Sequence, residues 1–393
     1  MSIEGRDEID KARIRLGMVG GGQGAFIGGV HRMAARLDDR FVLVAGALSS
    51  TPEKSAASAA EIGLDPARSY GSYEEMATAE KARADGIEAV AIVTPNHMHF
   101  PVAKTFLEAG FHVICDKPMT TTLAEARELA EIATASSKVF VLTHNYTGYP
   151  MIRQARAMVA AGDLGAIRMI VAEYAQDWLA TRAEDTGSKQ AGWRVDPAKA
   201  GAGGAIGDIG THAHNLACFV TGLRVETLSA DLSSFVDGRR LDDNASMLLR
   251  FEPRNGKVAK GMLWASQVAV GNENGLTLRV YGETGGLEWG QEEPNKLWHT
   301  PLGEPKRLLT RNGAGAGPAA TAVSRIPAGH PEGYLEGFAT IYAEAAELIR
   351  ANDAGAGAPE GIALPSIEDG VDGLAFIEAC VKSSKEDGAW VRL

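Results

Sequence analysis

Cysteine is scarce in this chain. Cys115, Cys218 and Cys380 are few, scattered and odd in number, which fits a reducing compartment better than a disulfide framework. Long apolar runs are missing as well, and none approaches the roughly 20 residues that span a bilayer. Positive charge is in deficit: 39 Lys and Arg against 50 Asp and Glu leave a net charge of -11. That balance argues against a nucleic-acid partner, which needs a basic patch. Met1 to Lys11 alternates charges without an apolar core segment, so no signal peptide is expected. There is no internal repeat and no low-complexity tail. The expectation is a cytoplasmic protein with neither a membrane nor a nucleic acid as partner. Its 393 residues predict two domains.

The first part of the chain alternates strands and helices. Ile14–Val19, Phe41–Leu48, Ala89–Val93, Phe111–Cys115 and Val139–Thr143 read as strands. Pro52–Ile62, Pro101–Ala109 and Thr122–Ser136 read as helices, with Gly110 as a C-cap signal. Such alternation implies a parallel sheet covered on both faces. The expectation is a doubly wound Rossmann domain over residues 1–147.

The texture changes after Pro150. One helix, Met151–Ala161, precedes the strand-like runs Arg168–Tyr174, Val225–Phe235, Ala245–Phe251, Gly261–Ala269, Leu276–Tyr281 and Gly286–Trp289. Few helices separate the later runs, so residues 148–393 should form an α+β domain with a large open, mostly antiparallel sheet. Tyr334–Ala351 and Gly370–Ser384 read as amphipathic helices, and Gly313–Pro318 as a loop. The whole is α/β.

A glycine-rich turn follows the first strand: Gly20-Gly21-Gly22-Gln23-Gly24-Ala25-Phe26-Ile27-Gly28. A lone G-x-G-x-x-G is a weak signal, and here Gly20 and Gly22 fit while Ala25 takes the third place. The spacing predicts a loop enlarged by three residues, with Phe26 and Ile27 inside it. Small residues let a pyrophosphate approach the backbone at a helix N-terminus, so the flanking strand and helix make this a dinucleotide site. An acidic residue usually ends the second strand of an NAD-preferring fold. This chain has Ser49 and Ser50 there, with Lys54 following. The reading is NAD or NADP, leaning to NADP.

Lys117 ends an apolar run in Val113-Ile114-Cys115-Asp116-Lys117-Pro118. A lysine at the carboxyl end of a strand faces the crevice where such sheets bind ligands. Its ammonium can hydrogen-bond a substrate hydroxyl and the cofactor ribose together, which points to hydride transfer on an alcohol. A second run, Gly201 to Asn215, holds Asp208 and His212 four apart. If a helix follows the glycines, the two share one face. An imidazole near neutrality suits it to take a hydroxyl proton, and a carboxylate one turn away can orient a sugar hydroxyl. His212 and His214 diverge on a helix, so no metal set is expected.

These segments together resemble the glucose–fructose oxidoreductase / inositol dehydrogenase (Gfo/Idh/MocA) family. The matching pieces are the glycine turn, Thr94-Pro95-Asn96-His97 with His99, Lys117-Pro118 and Asp208-x-Gly210-x-His212, in family order. The resemblance covers essentially the whole chain. It implies an NAD(P)-dependent sugar or polyol dehydrogenase with a Lys/Asp/His catalytic set carried onto Lys117, Asp208 and His212. It also implies a substrate domain whose open sheet serves a homodimer or homotetramer. Cofactor contacts are expected from Gly20, Gly22, Gln23, Gly24, Ala25, Phe26, Ile27, Ser49, Ser50, Lys54, Thr94, Pro95, Asn96, His99, Asp116, Lys117 and Asn145.

The chain departs from the family pattern in three places. Asp116 stands where the family has Glu, Asn215 where it has a carboxylate, and the glycine turn reads as enlarged. Candidate substrate contacts are Lys117, Tyr146, Asp177, Trp178, Trp193, Arg194, Asp208, His212, Asn215 and His330. Tryptophan can stack on a sugar face while Asp and Arg hold hydroxyls. Two other readings stand beside the dehydrogenase. One is an oxidoreductive glycosidase that oxidises, eliminates and re-reduces, with Tyr146 or His144 as the acid. The other is a cofactor-binding sensor without catalysis.

Overall fold

A computed structural model describes residues 13–393; the charged lead-in Met1 to Lys11 lies outside the described residues. The chain divides into two compact units. Of the described residues, the first holds 13–120, 124–145 and 334–371, and the second holds 121–123, 146–333 and 372–393.

The first unit is built on five parallel strands. They are β1 (Ile14–Gly20), β2 (Phe41–Ala47), β3 (Ala89–Val93), β4 (His112–Cys115) and β5 (Phe140–Leu142), in the order β2-β1-β3-β4-β5. The chain reverses its winding between β1 and β3, and ligands bind at the carboxyl ends of strands around such a switch point. β3 and β4 are buried along their whole length, as a sheet covered on both faces requires. The helix Phe26–Leu37 packs against the helix Tyr334–Asp353. Val30, Ala34 and Ala35 from one and Phe338, Ile341, Tyr342, Ala345 and Ile349 from the other join Ile14, Leu16 and Met18 in a single core. Thr51 and Ser72 cap the helices Pro52–Glu61 and Tyr73–Ala82, a contribution of about 1 kcal/mol each.

The second unit carries a nine-stranded sheet. Its strands are β6 (Ile167–Ala175), β7 (Val225–Ser233), β8 (Asn244–Phe251), β9 (Lys260–Ser266), β10 (Gly275–Gly282), β11 (Gly285–Gly290), β12 (Lys296–Pro301), β13 (Arg307–Thr310) and β14 (Val391–Arg392). Their order is β13-β12-β11-β10-β6-β9-β8-β7-β14. Every pair is antiparallel except β6 with β9. Burial alternates along β8, the mark of a sheet with one covered face. The inner face packs on the helix Thr211–Thr221, which in turn packs on the helix Pro150–Ala161. β12, β13 and β14, at or next to the sheet's edges, were not foreseen from the sequence. Among the described residues, no helix is long and apolar enough to cross a membrane.

Candidate active site

The glycine turn corrects one expectation. Phe26 and Ile27 are not inside the loop: the helix begins at Phe26, with Ala25 as its N-cap. Gly28 lies inside that helix, where an added Cβ would come 2.4 Å from the Gly21 Cα. Gly28 therefore supplies the close packing of helix on turn that the third glycine gives. Gly21 and Gly24 have φ of 73° and 77°, a region that favours glycine. A Cβ on Gly22 would meet the Leu48 carbonyl at 2.5 Å. The result is a cradle of bare backbone opening onto a helix N-terminus, and it fits a pyrophosphate.

A cavity of about 400 Å³ adjoins the cradle, lined by Gly21 to Phe26 together with Arg32, Leu48, Ser58, Glu61 and Ile62. Arg32 donates to the Gly21 carbonyl at 2.7 Å, the Gln23 amide N–H donates to Ser58 Oγ at 3.1 Å, and Gln23 Nε2 donates to Glu61 at 2.8 Å. The sequence marked none of Arg32, Ser58 and Glu61: Arg32 lies past the glycines on the helix Phe26–Leu37, and the other two lie on the helix Pro52–Glu61. Phe26 is exposed and stacks on Tyr334, while Ile27 packs on the core. Ser49 is half-buried, and Ser50 and Lys54 are exposed.

The other sequence-predicted residues of this unit follow strand ends. Thr94, Pro95 and Asn96 follow β3; Asp116 and Lys117 follow β4; Asn145 follows β5 and is buried. The Lys117–Pro118 bond is cis. His99 is 1% exposed, with Nδ1 2.6 Å from the Pro118 carbonyl and Nε2 2.9 Å from the Thr94 carbonyl. Both of its ring nitrogens are thus engaged by the turns after β3 and β4, which the ring braces. Burial holds His99 below the usual histidine value, against Asp116 and the two carbonyls. Asp116 Oδ1 accepts from the Lys117 N–H at 2.8 Å and from Thr143 Oγ1 at 3.2 Å. Behind it lies buried His31, whose Nε2 is 3.9 Å from Asp116 Oδ2 and whose Nδ1 is 2.9 Å from the Tyr342 hydroxyl.

In the second unit, a wide π-helical turn, Ile206–Gly210, carries Asp208 and runs into the helix Thr211–Thr221 that carries His212. The sequence predicted a plain helix here; turns of this kind recur at functional sites. Asp208 Oδ2 accepts from Arg194 Nε at 3.0 Å and from Gln267 Nε2 at 2.8 Å. Arg194 lies over the Trp193 ring at 4.3 Å and over Trp178 at 5.8 Å, so these three residues meet beside Asp208.

The His212 ring, 8% exposed, meets Tyr146 edge-on at 4.8 Å and lies 6.2 Å from Tyr174. The Tyr146 and Tyr174 hydroxyls are 2.6 Å apart, and Tyr174 donates to Asn274 Oδ1 at 2.7 Å. Burial, more than nearby Asp208, raises the Tyr146 pKa. Asn215 is buried one turn beyond His212. His214 stacks on Phe376 at 4.1 Å, and burial lowers its pKa to about 4.

Two predicted substrate residues are engaged elsewhere. Asp177 accepts from the Gly271 N–H at 3.0 Å, capping a loop. His330 is exposed, and its carbonyl accepts from Arg311 at 2.5 Å. No hydrogen bond, ion pair or ring contact joins the His330 side chain to the His212 group among the described residues. Gln267, Tyr174 and Asn274 belong to that group yet had no motif to announce them.

Residues 14–144 match the model of an oxidoreductase family with an NAD-binding Rossmann fold, and residues 152–288 match the GFO/IDH/MocA C-terminal domain. The uncharacterized oxidoreductase YfiI of Bacillus subtilis (strain 168) is 35% identical over 100% of this chain and 99% of its own. The chain belongs to the Gfo/Idh/MocA family. An oxidoreductase from Sinorhizobium meliloti shares 60% identity over 97% of this chain and 99% of its own, with a TM-score of 0.88. An inositol dehydrogenase homologue from Azotobacter vinelandii, solved with NADH and myo-inositol, shares 39% identity over 98% and 99%, with a TM-score of 0.91. The protein is thus an NAD(P)-dependent oxidoreductase whose first unit is its nucleotide-binding domain.

Proposed function

We propose that this enzyme transfers hydride between a carbinol carbon of a cyclic polyol or sugar and the nicotinamide. His212 takes the hydroxyl proton, Lys117 stabilises the oxygen as it becomes anionic, and Asp208 and Asn215 orient the ring hydroxyls. The bound dinucleotide supplies hydride acceptance. The observation that carries this reading is the arrangement around Asp208. Arg194 and Gln267 fix its carboxylate, while His212, one turn on, stands against Tyr146 and Tyr174. A fixed carboxylate beside an imidazole fits a hydroxylated substrate in near-attack geometry, an arrangement worth up to roughly 7–11 kcal/mol. The likeness to a homologue solved with myo-inositol makes cyclic polyols the first class to test.

Glycoside cleavage by transient oxidation needs an acid for the leaving group. Tyr146 is poorly suited: its hydroxyl is paired with Tyr174, and its pKa is raised. The test incubates the enzyme with cyclic polyols, free sugars and glycosides at catalytic cofactor levels. Reduction of one cofactor per polyol or sugar oxidised, lost in His212→Asn, is the expected result. Repeated aglycone release without net cofactor reduction would overturn it.

Two further readings accompany this one. The outer face of the large sheet presents Leu248 and Met262, 49% and 48% exposed, around one groove with Trp264. Exposed apolar side chains gathered in one groove mark an interaction surface, and this one serves a homodimer or homotetramer. Met262→Glu should lower the mass measured by light scattering. The free thiols Cys115, Cys218 and Cys380 fit the cytoplasm.

A further inference from the structure

The segment that carries Asp208 and His212 is held from behind by a pair of acids that no motif marks. Asp242 and Asp243 immediately precede β8. One carboxylate oxygen of Asp242 accepts from the Gly204 N–H at 2.7 Å, and the other from the Ile206 N–H at 2.8 Å. The Asp242 carbonyl accepts from the N–H between them, that of Ala205, at 2.8 Å. Three successive backbone donors thus end on one residue. The π-helical turn starts from this anchorage: the Asp208 N–H donates to the Gly204 carbonyl at 2.9 Å. The approach is so close that a Cβ on Gly204 would lie 2.0 Å from the Asp242 carbonyl oxygen, which explains the glycine there.

A second route runs through Asp243. Its carbonyl accepts from the Gln267 N–H at 2.8 Å, and the Gln267 side chain donates to Asp208. The Asp243 carboxylate is itself tied to the Phe235 and Val236 N–H groups, at 2.8 and 3.0 Å, and to Arg239. The backbone leading to Asp208 and the amide gripping its carboxylate are therefore both indexed to one dipeptide. Burial pushes the Asp242 carboxyl up to about 6, so its ionised form, the acceptor for both amides, is kept at a cost to stability.

We propose that Asp242 is a positioning residue that sets the placement of Asp208 and His212 through the Gly204–Ile206 turn. The proposal rests on the roles given above to Asp208 and His212. Asp242→Asn keeps the shape of the side chain but turns an NH2 donor toward a backbone N–H. A misplacement near 1 Å costs about 100-fold in rate. The variant should therefore lose about 10- to 100-fold in kcat on the polyol, with cofactor KM within about twofold of wild type.

Hydrogen exchange supplies a readout independent of activity. Amides across residues 203–212 should exchange at least about tenfold faster, while those of β8 and β9 keep their protection. Wild-type kcat and protection in the variant would overturn the proposal. So would an equal rise of exchange throughout the second unit, which would make Asp242 merely structural. Should Asp242→Asn fail to fold, Asp242→Ser carries the same exchange test, because its hydroxyl cannot reach both amides. If wild-type enzyme oxidises no polyol, the functional reading fails while exchange still decides the role of Asp242.

Discussion

His31 sits behind the Asp116–Lys117 turn and offers a quantitative test of how the first unit responds to acid. Burial lowers its pKa from 6.5 to about 4, with Asp116 opposing and His99 and Arg32 adding to the shift. A histidine with a depressed folded value binds its proton more readily in the unfolded chain. Its stabilising contribution is full above the unfolded value of 6.5 and is lost as pH falls toward about 4. The whole shift corresponds to about 3 kcal/mol, of which about 2 kcal/mol is gone by about pH 5. For a unit of this size that loss lowers Tm by about 4–8 °C. His31→Gln removes the titration while leaving a polar group near the Tyr342 hydroxyl. Thermal melts of both proteins between about pH 7.5 and about pH 5 should show the variant starting lower but falling less, by that difference. Curves that stay parallel over the range would refute the assignment of a neutral, buried His31.

Three further outcomes follow from the site. Lys117→Ala should reduce turnover about 100- to 1000-fold while leaving cofactor affinity, read by calorimetry, within several-fold of wild type; near-normal turnover would remove Lys117 from the chemistry. NADP should bind at least comparably to NAD, because no carboxylate stands at Leu48 to Ser50 after β2, and Ser49→Asp should weaken NADP alone by about tenfold or more. Strong wild-type preference for NAD in the same titration would defeat that lean. Gly28→Ala, with its Cβ forced 2.4 Å from the Gly21 Cα, should weaken both dinucleotides at least about tenfold; unchanged affinity would show that the turn tolerates displacement.

The parallel sheet was legible because β1, β3 and β4 are short apolar runs between strong turn signals, a pattern that reads locally. The short strands β12 and β13, at one end of the sheet, were not, since Lys296–Pro301 and Arg307–Thr310 mix charged and polar residues with few buried positions. The start of the glycine-turn helix was misjudged because Phe26 and Ile27 are compatible with loop or helix; only the approach of Gly28 to Gly21 decides. Asp208 and His212 could be picked out by their spacing, but the π-helical turn between glycines could not. Gln267, Asn274 and Asp242 reach the site through strand register, with Asn244 paired to Ser266, and register is a property of the folded sheet.

The return of residues 334–371 to the first unit has a consequence for synthesis. The nucleotide-binding unit has all five of its strands once residue 145 is made, yet part of its core, including Phe338, Ile341 and Tyr342, is still untranslated. At about 5–20 residues per second, roughly 10–40 s pass before that helix leaves the ribosome. During that interval the helix Phe26–Leu37 exposes the apolar side that the late helix will cover. The nascent sheet is a candidate for chaperone protection over this window. A chain stopped shortly before residue 334 should be aggregation-prone, even though every strand of its nucleotide-binding sheet is present.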